Sequence, residues 1–124
     1  MPTLHVHIMQ GHTLERRRAF LKAATDAVVQ TLSAPVASVR VLLSELDPQN
    51  IIVAGEFDVD VALLRVMLIA GRTEQAKAAA IEALTQVAVE HLGVDGAQVR
   101  VILTDVPNTD MGMAHGKTAK AMGR

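Results

Sequence analysis

The residues with the clearest chemical potential open the chain: Met1-Pro2-Thr3-Leu4-His5-Val6-His7-Ile8. A small second residue permits removal of the initiator methionine, and removal leaves Pro2 as a free secondary amine. This is the only kind of proline nitrogen in a protein that acts as a base. With Met1 retained the same atom is an amide, and Pro2 is then simply tolerated at position two. A base that removes a proton beside a carbonyl must be neutral near pH 7, and an ordinary α-amine titrates at about 7.7–8.0.

The other reactive side chains point to less. His5 and His7 share one strand face, a spacing that suits two metal ligands, but His12, His91 and His115 supply no third ligand at metal-site spacing. No metal and no cofactor are expected, and histidines on the inner sheet of an oligomer account for the pair. The chain has no cysteine, which excludes disulfides, thiolate metal sites and cysteine nucleophiles. Gly112, Gly116 and Gly123 lack the strand-to-helix context of a phosphate loop. Two phenylalanines, no tyrosine and no tryptophan leave no platform for stacking bases, and a net charge of −1 gives no phosphate-seeking field. Arg16-Arg17-Arg18 fits a solvated helix face, so no nucleic-acid partner is expected. The longest apolar stretch, Val61 to Ala70, is short and interrupted by Arg65. Neither export nor membrane spanning is expected, and a cytoplasmic location follows as the default.

The elements that must hold these residues are written twice. Leu4, Val6 and Ile8 alternate with His5 and His7, as in a strand with one buried face. Gly11 breaks the strand, Thr13 caps a helix, and Phe20, Ala24, Ala27, Val28 and Leu32 recur at helical spacing until Ser33-Ala34-Pro35 stops them. Val39, Val41 and Leu43 begin a second strand, and Asp47-Pro48-Gln49-Asn50 turns before a short Ile51-Ile52-Val53 segment suited to a hairpin. Leu64, Gly71, Thr73, Leu92 and Val99-Arg100-Val101 repeat Leu4, Gly11, Thr13, Leu32 and Val39-Arg40-Val41 sixty residues later without a gap. The expected fold is α/β, of the α+β sandwich type. One fused domain over residues 1–124 divides into β-α-β halves at 1–58 and 59–124. Right-handed crossovers make each half's strands parallel, giving a four-stranded sheet with two helices on one face. The uncovered face would carry His5, His7, Leu42, Met67 and Ile69, too apolar to stay wet, so a homo-oligomer is expected.

Pro2, the His7-Ile8-Met9-Gln10-Gly11 run and Ala34-Pro35-Val36-Ala37-Ser38-Val39-Arg40-Val41 together resemble the 4-oxalocrotonate tautomerase family. With the second half read as a degenerate copy, the resemblance spans nearly the whole chain and points to a fused member, three chains standing in for six subunits. It implies a tautomerase that moves a proton along a small dienol or enol acid, with the Pro2 amine as general base. An arginine after the first strand and another in the second strand would hold the substrate carboxylates and carbonyl oxygen. Arginine suits that role because its planar fork grips a carboxylate bidentately and stays charged, and guanidinium groups beside a buried amine lower its pKa.

The halves differ where the resemblance places chemistry. The first-strand arginine position holds His12 in the first half and Arg72 in the second, while the proline position holds Ala62 in the second. If the two first strands pair antiparallel, Pro2 meets Arg72 and Ala62 meets His12, leaving one complete site. Arg40 and Arg100 both occupy the second-strand position. Arg40, with flanks closer to the family pattern, is favoured to reach a neighbouring chain's site; for Arg100 an oligomer-bridging ion pair competes with substrate binding. The family's hydrophobic hairpin residue aligns with Ile51 and Met111, and with Ile69 these would line the pocket. Hydratase and dehalogenase relatives carry a second arginine near the first and a carboxylate that directs water. Here Ile69 stands three residues before Arg72, and Glu45 and Asp105 have no assigned role. A ferredoxin-like binding module fits the strand order, and a tautomerase fold without catalysis fits the His12, Ile51 and Met111 departures. The binding module does not account for Pro2, Gly71-Arg72 and Ser38-Val39-Arg40 together, and activity separates the three readings.

Overall fold

The alternating pattern of the first eight residues becomes strand β1 (Thr3–Met9), with Leu4, Val6 and Ile8 at most 1% exposed, in a computed structural model that describes residues 2–124. The fate of Met1 lies outside the described residues. After β1 come helix α1 (Leu14–Leu32), β2 (Arg40–Leu46), β3 (Ala62–Ile69), α2 (Glu74–Leu92) and β4 (Val99–Val106). The helices start and stop where their caps dictate. Thr13 and Thr73 each accept, through Oγ1, a backbone N–H three residues on, Arg16 and Ala76, both at 3.1 Å. Such a cap contributes about 1 kcal/mol. Ser33 ends α1 in the left-handed region at φ 53°, and its counterpart Gly93 ends α2 at φ 67°. Glycine enters that region without strain, whereas serine does so at a cost.

The sheet runs β2-β1-β3-β4. β1 is parallel to β2, β3 is parallel to β4, and the two central strands are antiparallel. Both helices cover one face. Phe20, Ala24, Val28 and Leu32 of α1, with Ala80, Leu84, Ala88 and Leu92 of α2, close over Leu4, Val6, Ile8, Leu64, Val66 and Leu68. Burial of that aliphatic surface, at roughly 25 cal/mol per Å², is the main force holding a chain without cysteine. The four-stranded sheet with two helices on one face is the architecture expected from the sequence. The segment after β2 is less regular than a hairpin: a 3₁₀ turn, Pro48–Asn50, and a single bridge from Val53 to Glu56.

The central register has a consequence for symmetry. His5 lies directly opposite Arg65, and the two also occupy equivalent positions in the two repeats. A local twofold axis relating the halves therefore passes between them. Leu42, His5, His7, Met67 and Ile69 lie on the face turned away from the helices, as expected, with Leu42 half exposed at 51%. No described helix is long and apolar enough to cross a membrane.

Candidate active site

Pro2 sits one residue before β1 and its ring is fully buried. The β-alternation that turns Leu4 and Val6 toward the helices puts Pro2 on that side too. Its carbonyl accepts the Arg40 backbone N–H at 3.0 Å, which fixes the start of β1 beside the start of β2. On the other flank Thr3 faces Met67, so β3 runs past Pro2 and ends just beyond it.

That end of β3 delivers Arg72. Gly71 adopts φ 127°, a conformation open to glycine but strained for other residues, and the chain turns back toward the helical layer. The Arg72 guanidinium donates from Nε to the Leu32 carbonyl at 3.3 Å and from Nη1 to the Ile69 carbonyl at 3.1 Å. Two of its five N–H groups are thereby committed to positioning, and the remaining three, including both on Nη2, can receive a carboxylate. Pro2 and Arg72 thus share one end of the sheet and the same side of it, an arrangement the antiparallel pairing of β1 and β3 requires.

Arg40 belongs to the same end but to the other face. It pairs with Thr3 and is exposed on the sheet surface away from Pro2's ring. Arg100 starts β4 opposite Leu63, at the far end of the sheet, and its Nη1 donates to the Ala97 and Val99 carbonyls at 2.7 and 3.1 Å. Ile69, the last residue of β3, lies at the Pro2 end, as does the exit from β4 toward Met111; Ile51 follows β2 at the opposite end. Of the residues singled out in the sequence, the chain gathers Pro2, Arg40, Ile69 and Arg72, and it leaves Arg100 and Ile51 apart from them.

The opposite end carries the repeat-equivalent residues. Ala62 takes the place of Pro2 and lies inside the chain, where its nitrogen is an amide whatever its side chain. His12 takes the place of Arg72 and lines an open cleft of about 390 Å³ with Gln10, Arg16, Pro48, Asp58 and Asp60. Two carboxylates in that cleft work against a carboxylate substrate.

Glu45 and Asp105, unassigned from the sequence, have structural partners. Arg17 binds Glu45, and Lys77 binds Asp105 at 2.5 Å, equivalent pairs in the two repeats. Both carboxylates stand on the helix side of the sheet and tie a helix to an outer strand. Pairs this exposed contribute at most about 1 kcal/mol. Sequence spacing alone could not find them, because the partners are 28 residues apart. Among the described residues no cluster of three histidine, aspartate or glutamate side chains is arranged to hold a metal ion.

Comparison with known proteins matches both halves to one family. The model of the tautomerase enzyme family matches residues 2–59 and again 63–120. A 2-hydroxymuconate tautomerase of Comamonas testosteroni is 42% identical over 60 residues, which is 48% of this chain and 94% of that protein. A solved fused 4-OT, a wild type symmetric trimer, superimposes with a TM-score of 0.96 at 55% identity, covering 98% of this chain and 99% of the other. A second fused 4-OT, an asymmetric trimer, does so with a TM-score of 0.93 at 40% identity over 98% of this chain and 99% of its own. Two matched repeats, the shared β-α-β-β-α-β architecture and full-length likeness to fused relatives establish that this chain belongs to the tautomerase family, as an isomerase with two copies of the fold in one polypeptide.

Proposed function

We propose that the protein is a cytoplasmic enol–keto tautomerase of small 2-hydroxydienoate or enol-pyruvate acids, working as a homotrimer with the Pro2 amine as general base. The observation that carries this reading is the convergence of a buried Pro2 and a doubly anchored Arg72 on one end of the sheet. The neutral amine takes the enol O–H proton, the electron pair moves through the conjugated system as the C=O forms, and the resulting ammonium returns the proton to carbon. Nothing is gained or lost overall. Arg72 holds a substrate carboxylate against the amine. Negative charge that develops on the oxygen needs a second cation, and in this reading a neighbouring chain's Arg40 supplies it; its exposure on the face opposite its own Pro2 supports that role. Electrostatic stabilisation of this kind is worth about 10²–10³ in rate per donor, and a positioned base about 10²–10⁴.

The trimer reading draws on the fused trimeric relatives and on the half-exposed apolar sheet face. The engagement of Asp105 by Lys77 favours proton transfer over hydration, since the carboxylate on the Pro2 side of the sheet already has a cation partner. The test is the ultraviolet rate of ketonisation of a 2-hydroxydienoate or phenylenolpyruvate, with tag-free protein compared with Pro2→Ala. Loss of turnover by at least about 10²-fold in the variant supports the amine as base. Equal rates in protein whose mass shows Met1 retained, where the Pro2 nitrogen is an amide, would overturn it, since Pro2→Ala still keeps a primary terminal amine.

A further inference from the structure

Among the strand residues, the sheet face away from the helices carries no carboxylate. Its strand residues include Arg40 on β2, His5 and His7 on β1, Arg65 on β3 and Arg100 on β4; Glu45 and Asp105, the acidic residues of the strands, both lie on the helix side with their cation partners. His7 adds a buried Nδ1 with no partner among the described residues. Around these groups the face is apolar, with Leu42 and Ile102 at 51% and 50% exposure.

At the centre of this face is a small cavity of about 130 Å³ lined by His5, Arg65, Met67 and Thr104. An imidazole, a guanidinium and a hydroxyl converge there with no carboxylate among them, a donor set that suits an oxyanion. The position is set by symmetry: His5 and Arg65 face each other on the local twofold axis, in the middle of the two central strands. When three such sheets turn their apolar faces inward around a threefold axis, the residues at mid-sheet come closest to that axis. Three His5 and three Arg65 then surround one chamber. The three guanidiniums meet no carboxylate from the strands of this face.

We propose that the trimer holds a multivalent oxyanion, of the phosphate or polycarboxylate class, in a central chamber built from His5, Arg65 and Thr104 of all three chains. This rests on the trimer of the proposed function, and the site is incomplete in a single chain. Turning one chain about its own local twofold axis exchanges His5 with Arg65 and puts Ser44 in the place of Thr104, so the imidazoles and guanidiniums stay on the axis while one hydroxyl changes.

The experiment combines native mass spectrometry, which counts chains, with calorimetric titration of inorganic phosphate and, separately, citrate, into wild type, Arg65→Gln and His5→Gln. The expected result is one anion per trimer, bound at least about tenfold more weakly by Arg65→Gln and more weakly by His5→Gln, with both variants still trimeric and retaining ketonisation activity. Tighter binding of one probe identifies which oxyanion the chamber prefers. An intact trimer that binds neither probe overturns the proposal and leaves the tautomerase reading standing. So does one anion per chain with wild-type affinity in Arg65→Gln, which would place the anion at the active-site arginines. A species other than a trimer overturns the assembly on which the chamber depends, a result read from the mass independently of any titration.

Discussion

The Arg72 guanidinium is bonded to the Leu32 carbonyl across 40 residues of chain, joining the end of β3 to the last turn of α1. A helix C-terminus carries partial negative charge, so the contact both satisfies an orphan carbonyl and holds the guanidinium in one orientation. The guanidinium at the Pro2 end of the sheet is thus held in one orientation by its own chain.

Arg72→Ala should therefore lower kcat/KM by about 10²–10³, with a second signature in pH. A cation near an amine disfavours its protonation, so removing the cation raises the amine pKa. The acid limb of the kcat/KM profile, where the base becomes protonated and inactive, should move to higher pH. Steady-state rates across the pH range check both; Arg72→Lys, which keeps the charge without the fork, should restore the limb more fully than the rate. An unchanged limb in Arg72→Ala would detach Arg72 from the amine.

If the Pro2 amine is the base, Ala62 supplies no second one, because its nitrogen is an internal amide. An acetylenic acid that alkylates the active-site amine should consume one equivalent per chain, and peptide mapping should find the label on Pro2. Ala62→Pro combined with His12→Arg should leave that stoichiometry at one, since a proline within the chain has no basic nitrogen. Two equivalents per chain would contradict the assignment.

The second-strand arginines should behave differently. Arg40 is exposed at the Pro2 end, whereas Arg100 is bonded to its own backbone at the far end. Arg40→Ala should cost about 1.5–3 kcal/mol of transition-state binding, the worth of a hydrogen bond to a charged group. Arg100→Ala should stay within about 0.5 kcal/mol of wild type. Parallel measurement of kcat and KM decides between them, and the reverse order would move substrate recognition to Arg100.

One stability change follows from the repeat. Ser33 holds the left-handed cap that Gly93 holds in the other half. Ser33→Gly should stabilise the fold by about 0.5–1 kcal/mol, and Gly93→Ser should destabilise it by a similar amount. Thermal unfolding reads this as a shift of a few degrees in each direction, and matching shifts of one sign would refute the argument.

Much of the fold was legible without coordinates because it rests on local information. The period-2 runs at Leu4–Ile8 and Leu64–Leu68, the threonine caps and the helix stops involve residues a few positions apart, and the sixty-residue repeat made each half a check on the other. The placement of Pro2 and Arg72 at one end of the sheet was also within reach, since antiparallel pairing of two equivalent strands brings the start of one to the end of the other. For Ile51 and Arg100 the family position names a residue type, and the strand direction sets at which end of their own chain's sheet they lie.

By itself, then, the sequence determined the two β-α-β units, their caps and the absence of thiol chemistry. The tertiary structure alone decided that Arg72 is anchored on Leu32, that Lys77 and Arg17 occupy Asp105 and Glu45, and that His5 faces Arg65 on the axis between the repeats. The physical reason is range. Apolar periodicity and capping act over one or two turns of chain, whereas these contacts depend on strand register and helix placement, which are set only when the whole aliphatic core closes.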